Sequence, residues 1–267
     1  MVEGVRAFCL VAWMWMRAAL TYRASFAITT LANLAITFLD FVTVLLMFSH
    51  VDALGGFGLA EVALLYGSAS LALGMADLVL GNVERVGTRI RDGSLDVLLV
   101  RPVSIFVQVA ADRFAPRRVG RVIQAVLVLG WAVPRVDVDW SVGSVLLLAM
   151  MLASGSVIFG ALFTLGSSFQ FWAQDAAQVQ NAFTYGGSAL LQYPPTIYAA
   201  ELVRGVTFVV PLAFVNWLPA LRLLGRDDPL GLPGWVDFLS PLVAVALSGL
   251  AAVVWRSAVR SYRSTGS

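Results

Sequence analysis

Apolar stretches of bilayer length constrain this chain more than any motif in it. A helix needs roughly 20 apolar residues to cross the hydrocarbon core. Seven stretches reach or approach that length, at 24–49, 59–81, 117–134, 142–165, 177–193, 195–219 and 236–256. Only 13% of the residues are charged, where a soluble domain carries about 25%. So little charge cannot cover a water-facing surface, which excludes soluble globular and disordered readings. The sequence predicts an all-α integral membrane protein forming a single transmembrane domain over 1–267.

The seven stretches are not equivalent. The one at 195–219 follows Pro194 and holds Pro195, Glu201, Arg204, Pro211 and Pro219. Proline inside a helix removes a backbone bond and clashes with the preceding turn. Residues 194–220 therefore read as short helices dipping into one leaflet, their backbone buried in protein. Charge placement gives the same count. Arg clusters stand at the N-terminus (Arg6, Arg17, Arg23), between the second and third spans (Arg85, Arg89, Arg91, Arg101, Arg113, Arg117, Arg118, Arg121) and at the C-terminus (Arg256, Arg260, Arg263). Six transmembrane helices put all of these on the cytoplasmic side of the cell membrane, with both termini, whereas seven would export the last cluster against the positive-inside rule. The spans are then 24–49, 59–81, 117–134, 142–165, 177–193 and 236–256, with a re-entrant extracellular hairpin before the last. Residues 1–22 carry a short apolar run between Arg6 and Arg17 with Trp13 and Trp15, which suits an amphipathic helix lying in the interface.

Composition also removes whole classes of chemistry. All 18 basic residues are Arg. Without Lys there is no phosphate-binding Walker loop and no Schiff base. His50 and Cys9 are single, so no zinc site built on Cys and His and no internal disulfide can form. No metal ligand set or catalytic group is expected.

The polar interval 84–101 is the most informative part of the chain. Gly93 permits a sharp turn and Ser94 can cap a helix after it. Leu95, Leu98 and Leu99 then share one face, and Pro102 ends the helix. These apolar residues are expected to have nothing in their own chain to bury them. The stripe reads either as a docking surface for a soluble partner or as a helix on the headgroups with Arg paired to anionic lipid.

Within the spans, Asn33, Thr37 and Asp40 form a polar stripe at intervals of three and four. An acid at the centre of a span costs about 2.5–3.5 kcal/mol, so Asp40 should face protein or water. The stripe lines a substrate path or forms an interhelical hydrogen-bond seam. Gly67, Ser70, Gly74, Asp77 and Gly81 share a face of the second span, where small residues let helices approach closely. Asp77 can pair with Arg85 or with an Arg on another span. Tyr193, Pro194, Pro195, Tyr198 and Trp217 form an aromatic belt at the outer interface, or an outer gate. Gln170, Gln174, Asp175, Gln178, Gln180 and Asn181 make a polar loop, either a second cytoplasmic contact or a solvated turn.

Gly-Ser-Leu-Asp-x-Leu-Leu-x-x-Pro-Val-Ser at 93–104 resembles the cytoplasmic signature of type-2 ABC exporter permeases. Phe171-Trp172, Pro211-Leu212-Ala213-Phe214, Trp217-Leu218-Pro219-Ala220 and Tyr262-Arg263-Ser264-Thr265-Gly266-Ser267 extend the resemblance to the six-span, short-loop subfamily. The resemblance implies that 84–101 holds a coupling helix seated on a separate ATPase dimer. Arg89, Arg91, Gly93, Ser94, Leu95, Asp96, Leu98, Leu99 and Arg101 are then its docking residues. ATP and Mg belong to that partner, and this chain needs no cofactor. The resemblance also implies a second permease (a copy or a sibling), with Asn33, Thr37, Asp40, Ser70 and Asp77 as path candidates. Membrane lipid is the other partner, and nucleic acid is not one. Two rivals from other classes are an assembly or structural membrane protein without an ATPase, and an intramembrane enzyme.

Overall fold

The computed structural model describes residues 10–11, 13–14, 17–18, 20–112, 117–173 and 176–263. Arg6, Cys9, Trp15, Arg113, Gln174, Asp175 and the C-terminal Ser264–Ser267 lie outside them, and so does most of the expected interface helix at 1–22. The described residues of 10–21 are helical.

The regular structure among the described residues is all helical, with no strand. The helices are α1 (Arg23–Phe48), α2 (Leu59–Leu80), α3 (Val86–Arg91), α4 (Ser94–Leu99), α5 (Ile105–Ala111), α6 (Arg117–Ala132), α7 (Val142–Phe169), α8 (Ala176–Asn181), α9 (Gly187–Leu191), α10 (Ala200–Phe208), α11 (Trp217–Leu223) and α12 (Ser240–Ser261). Four helical stretches are long and apolar enough to cross a membrane: Arg23–Phe48, Leu59–Arg91, Val142–Phe169 and Ser240–Ser261. Two expected spans are shorter. α6 has 16 residues, prolonged by a 3-10 turn at Val133–Arg135. α8 and α9 form one helical segment joined by a wide π turn at Ala182–Gly186. Sixteen residues rise only about 24 Å, short of the ~30 Å hydrocarbon core.

α2 is the central element, buried on nearly every side. Its small residues make that possible. A side chain at Gly67 would meet Leu129 Cγ of α6 at 2.7 Å, so the two backbones touch where only hydrogen fits. α7 packs on both α2 and α12, while α1 rests on α6. Only Thr37, Phe41 and Val44 of α1 are buried. Three of its threonines are tolerated in an apolar helix because their hydroxyls bond back within it, Thr29 to the Ser25 carbonyl at 2.7 Å, Thr37 to that of Asn33 at 3.0 Å and Thr43 to that of Leu39 at 3.2 Å. At one end of the molecule, where Arg is dense, the Gly87 amide donates to Gln170 Oε1 at 2.8 Å and the Tyr262 hydroxyl to Asp96 Oδ1 at 3.0 Å. At the other, Thr196 donates to the Gly55 carbonyl at 2.8 Å, and Arg226 forks onto both oxygens of Glu61 at 2.9 and 2.8 Å.

Candidate functional site

A polar cavity of about 360 Å³ opens between α1, α2, α6 and the 176–193 segment. Thr37, Asp40 and Thr43 reach it from α1, and Tyr66 and Ser70 from α2. Arg121 and Gln124 reach it from α6, and Tyr185, Gln192 and Tyr193 close the remaining side. Hydrogen bonds hold this wall. Tyr66 donates to the Thr37 carbonyl at 3.3 Å, Gln124 Nε2 to the Tyr66 oxygen at 3.3 Å, and Gln192 Nε2 to Ser70 Oγ at 3.2 Å. Asp40 is exposed, and no hydrogen bond or ion pair to it is found among the described residues.

Three of the five expected path residues, Thr37, Asp40 and Ser70, thus meet around one cavity. Asn33 lies one turn away along α1, and Asp77 sits beneath the cavity in a buried ionic cluster. Arg118 Nε pairs with Asp77 Oδ1 at 2.9 Å, and Arg118 Nη2 stands 3.7 Å from Glu84 Oε1. Arg118 also donates from Nη1 to Asn82 Oδ1 at 2.9 Å. Arg121 Nη1 lies 4.0 Å from Asp77 Oδ2, and its guanidinium covers the Tyr185 ring at 5.4 Å from the centroid. The Tyr185 hydroxyl points at both carboxylates, 3.4 Å from Asp77 and 3.5 Å from Glu84. Two carboxylates face two guanidiniums, so the cluster is close to neutral, the condition under which buried charge is tolerated. The open choice for Asp77 resolves to Arg118, on another helix, rather than Arg85.

Five wall residues, Tyr66, Arg121, Gln124, Tyr185 and Gln192, were not singled out from the sequence as path residues. Arg118, Arg121 and Gln124 recur every three residues on α6, and that polar stripe was the available signal. The π turn at Ala182–Gly186 contains Tyr185, and wide turns of this kind recur at functional positions. At the far end of the cavity, Trp217 Nε1 donates to the Tyr193 carbonyl at 2.9 Å. The Tyr198 ring lies 5.7 Å from that of Trp217, and Tyr198 donates to the Leu190 carbonyl at 3.1 Å. Pro194 and Pro195 are buried beside them, so the five aromatic and proline positions form one cluster. Among the described residues no group of three or more His, Cys, Asp or Glu is placed to hold a metal ion.

The 84–101 segment departs from expectation in two ways. Leu95 and Leu98 are not an unsupported stripe. They are 1% and 7% exposed, packed into a second core with Val83, Val86, Ile90, Val109 and Trp255. Trp255 lies far along the chain, which is why local sequence offered nothing to cover them. The outward apolar residues are Val97, Leu99 and Val100, 56%, 42% and 83% exposed. The second difference is the cap. Gly93 takes the left-handed conformation, φ 69°, and Ser94 opens α4 as its first residue. Its amide and hydroxyl donate to Asp92 Oδ1 at 3.0 and 2.6 Å, so Asp92 does the capping. The two Ser94 hydrogen bonds hold the Asp92 carboxyl below its ordinary range. Asp96 accepts from Tyr262, whose phenol is pushed up by burial and by that bond. Arg89 pairs with Asp112, while Arg91 and Arg101 are exposed.

The glutamine-rich loop is partly interior. Gln170 and Gln180 are buried and joined, Gln170 Nε2 donating to Gln180 Oε1 at 2.9 Å. Gln178 is exposed. A separate set of polar contacts runs from the Ala110 carbonyl of α5 through Asn82 to Arg118, and from Glu84 and Arg118 to Asp77, Arg121 and Tyr185 at the cavity wall.

No curated protein and no solved structure matches the chain. A family model described as ABC-2 family transporter protein matches residues 34–266.

Proposed function

From the chain's membership of the ABC-2 transporter family, which makes it a multi-pass membrane protein, we propose that it is the permease subunit of an exporter. In this reading it crosses the cell membrane six times with both termini cytoplasmic. α6 and the 176–191 segment are the two short spans, and α10 and α11 form the re-entrant hairpin on the outer side. Asn216 anchors that hairpin, donating from Nδ2 to the carbonyls of Leu65 and Leu191 at 3.0 and 3.1 Å.

The observation that carries the proposal is that α4 packs on Val83 and Val86, beside the Asn82 and Glu84 side chains that lead through Arg118 and Asp77 to the cavity. α4 is the coupling helix. Leu95 and Leu98 fasten it to the body of the permease, and Val97, Leu99 and Val100 face the partner. ATP and Mg act in a separate ATPase dimer, since this chain has no Lys with which to build a phosphate loop. ATP binds the closed ATPase pair more tightly than the open pair, and that difference supplies the bias. Closure pushes α4, and with it α3 and the Asn82–Glu84 turn, against Arg118. The Asp77–Arg118 cluster passes the displacement to Arg121 and Tyr185 at the cavity. A second permease, a copy or a sibling, completes the path along the sparsely buried face of α1, where Ile28, Ile36 and Leu39 are exposed. Asp40 and Arg121 present opposite charges to whatever occupies the cavity, and the Tyr193–Tyr198–Trp217 cluster closes its outer end.

The test is coupling. Leu99→Asp with Val100→Asp should leave the permease folded and inserted but abolish its stimulation of the partner ATPase in proteoliposomes. Undiminished stimulation by that variant would remove the docking assignment. Leu98→Ala is the control, expected to loosen the second core and lower thermal stability instead.

A further inference from the structure

A second concavity lies on the other side of α2 from the polar cavity. It is a groove of about 760 Å³ between α2, α7 and α12, with the start of α5 at one end. Met75 and Val79 form one bank and Val157 part of another. The floor is made of small side chains, Gly160, Ala161, Ala251 and Ala252. It opens outward, since Met75, Val79 and Val157 are 40–47% exposed. Along α12 it runs from Ser248 to Arg260, about 18 Å at 1.5 Å per residue. One leaflet of the hydrocarbon core is about 15 Å deep.

Charge distinguishes the two ends. Arg256 and Arg260, one turn apart and both exposed, line the groove where α12 reaches the Arg-rich end of the molecule. No carboxylate lines the groove, and among the described residues neither Arg makes an ion pair. Ser104 adds a hydroxyl at that end. The opposite end, at Ser248, has no charge.

We infer that this groove is a binding site for an anionic phospholipid of the cytoplasmic leaflet. The acyl chain lies over Gly160, Ala161, Ala251 and Ala252, and the phosphate is held by Arg256 and Arg260. The length of one leaflet, the apolar floor and two unpaired cations at one end fit a single lipid. A helix from a second copy would need a carboxylate or a carbonyl-rich end to satisfy the same two guanidiniums. Basic pockets at the cytoplasmic end of membrane helices select anionic headgroups, each Arg near the surface adding about 1 kcal/mol. Two such contacts give a preference on the order of thirty-fold for anionic over zwitterionic lipid.

Native mass spectrometry of the full chain, released from detergent after titration with palmitoyl-oleoyl phosphatidylglycerol or phosphatidylcholine, tests the site. The wild type should retain phosphatidylglycerol at much lower concentration than phosphatidylcholine. Arg256→Gln with Arg260→Gln should erase that preference and leave phosphatidylcholine retention unchanged, and Arg256→Lys with Arg260→Lys should restore most of it. Ala252→Trp, which fills the floor, should reduce retention of both lipids. Equal retention of the two lipids by the wild type overturns the site, as does an unchanged preference in the double glutamine variant. If Ala252→Trp converts a dimer to a monomer with lipid retention intact, the groove is an interface between copies and the lipid assignment falls.

Discussion

Asp40 and Asp77 are both carboxylates within long apolar helices, and their surroundings differ in kind. Asp77 is enclosed, its side chain 8% exposed, between an Arg118 that is 6% exposed and a more distant Arg121. Asp40 opens into a cavity whose other walls combine hydroxyls, amides and the Arg121 guanidinium with Leu73 and Ala189. The difference follows from the neighbouring helix. α6 brings Arg118 into contact with Asp77, whereas at the cavity it presents Arg121 and Gln124, neither bonded to Asp40 among the described residues. A paired carboxylate in the interior is held as structure, whereas Asp40 faces open space with no hydrogen bond or ion pair to it among the described residues.

Removing one partner of the enclosed pair should therefore have the largest effect. Arg118→Gln leaves Asp77 and Glu84 facing each other with Arg121 and Arg85 as the remaining cations, and breaking a buried pair costs about 3–5 kcal/mol. Thermal unfolding in detergent should show it, and Asp77→Asn combined with Arg118→Gln should recover part of the loss. If the double variant is no more stable than the single one, the pair is not the unit that holds α2 to α6. Arg121→Gln comes next. At 4.0 Å and partly exposed, its bond to Asp77 contributes no more than about 1 kcal/mol, but it also lines the cavity, so transport should fall further than stability does. Asp40→Asn completes the series. Its unfolding should stay within about 0.5 kcal/mol of the wild type, as at an exposed position, while transport in proteoliposomes changes. A loss of stability equal to that of Arg118→Gln would erase the contrast between the two carboxylates.

The periodicity that placed Asn33, Thr37 and Asp40 on one face of α1 was legible, because a helix fixes that face without reference to neighbours. The partner of Asp77 was not, because Arg118 is far from it in the chain while Arg85 is near, and only the packing of α6 on α2 chooses the distant one. The same limit explains Leu95 and Leu98. Their cover, Val109 and Trp255, comes from other helices, and no local pattern announces it. Composition marked the four long helices well, since they hold almost no charge. It marked α6 and the 176–191 segment poorly, because Arg118, Arg121, Gln124 and Gln180 serve the cluster and the loop and dilute the apolar run. The small-residue face of α2 was read as packing, and Gly67 against Leu129 bears that out. Ser70, on the same face, instead accepts from Gln192 at the cavity.

Asp92 supplies a third carboxylate that sharpens the contrast, being solvent-exposed like Asp40 yet hydrogen-bonded like Asp77. The hydroxyl and amide of Ser94 lower its folded pKa. A depressed carboxyl stabilises the fold above its unfolded pKa, near 3.9, and loses that contribution as pH falls through the lower folded value. Acidification should therefore release the start of α4 only below about pH 4, well under any physiological pH. Hydrogen exchange at the Ser94 and Leu95 amides, followed from pH 6 down to pH 3, should rise relative to the intrinsic rate near the low end of that range. Asp92→Asn should remove the pH dependence, and Ser94→Ala should shift its midpoint upward toward 3.9. Because the group is exposed, the effect is the smallest of the series. A pH-independent protection in the wild type would mean that Gly93 alone, and not the Asp92 cap, sets the turn into α4.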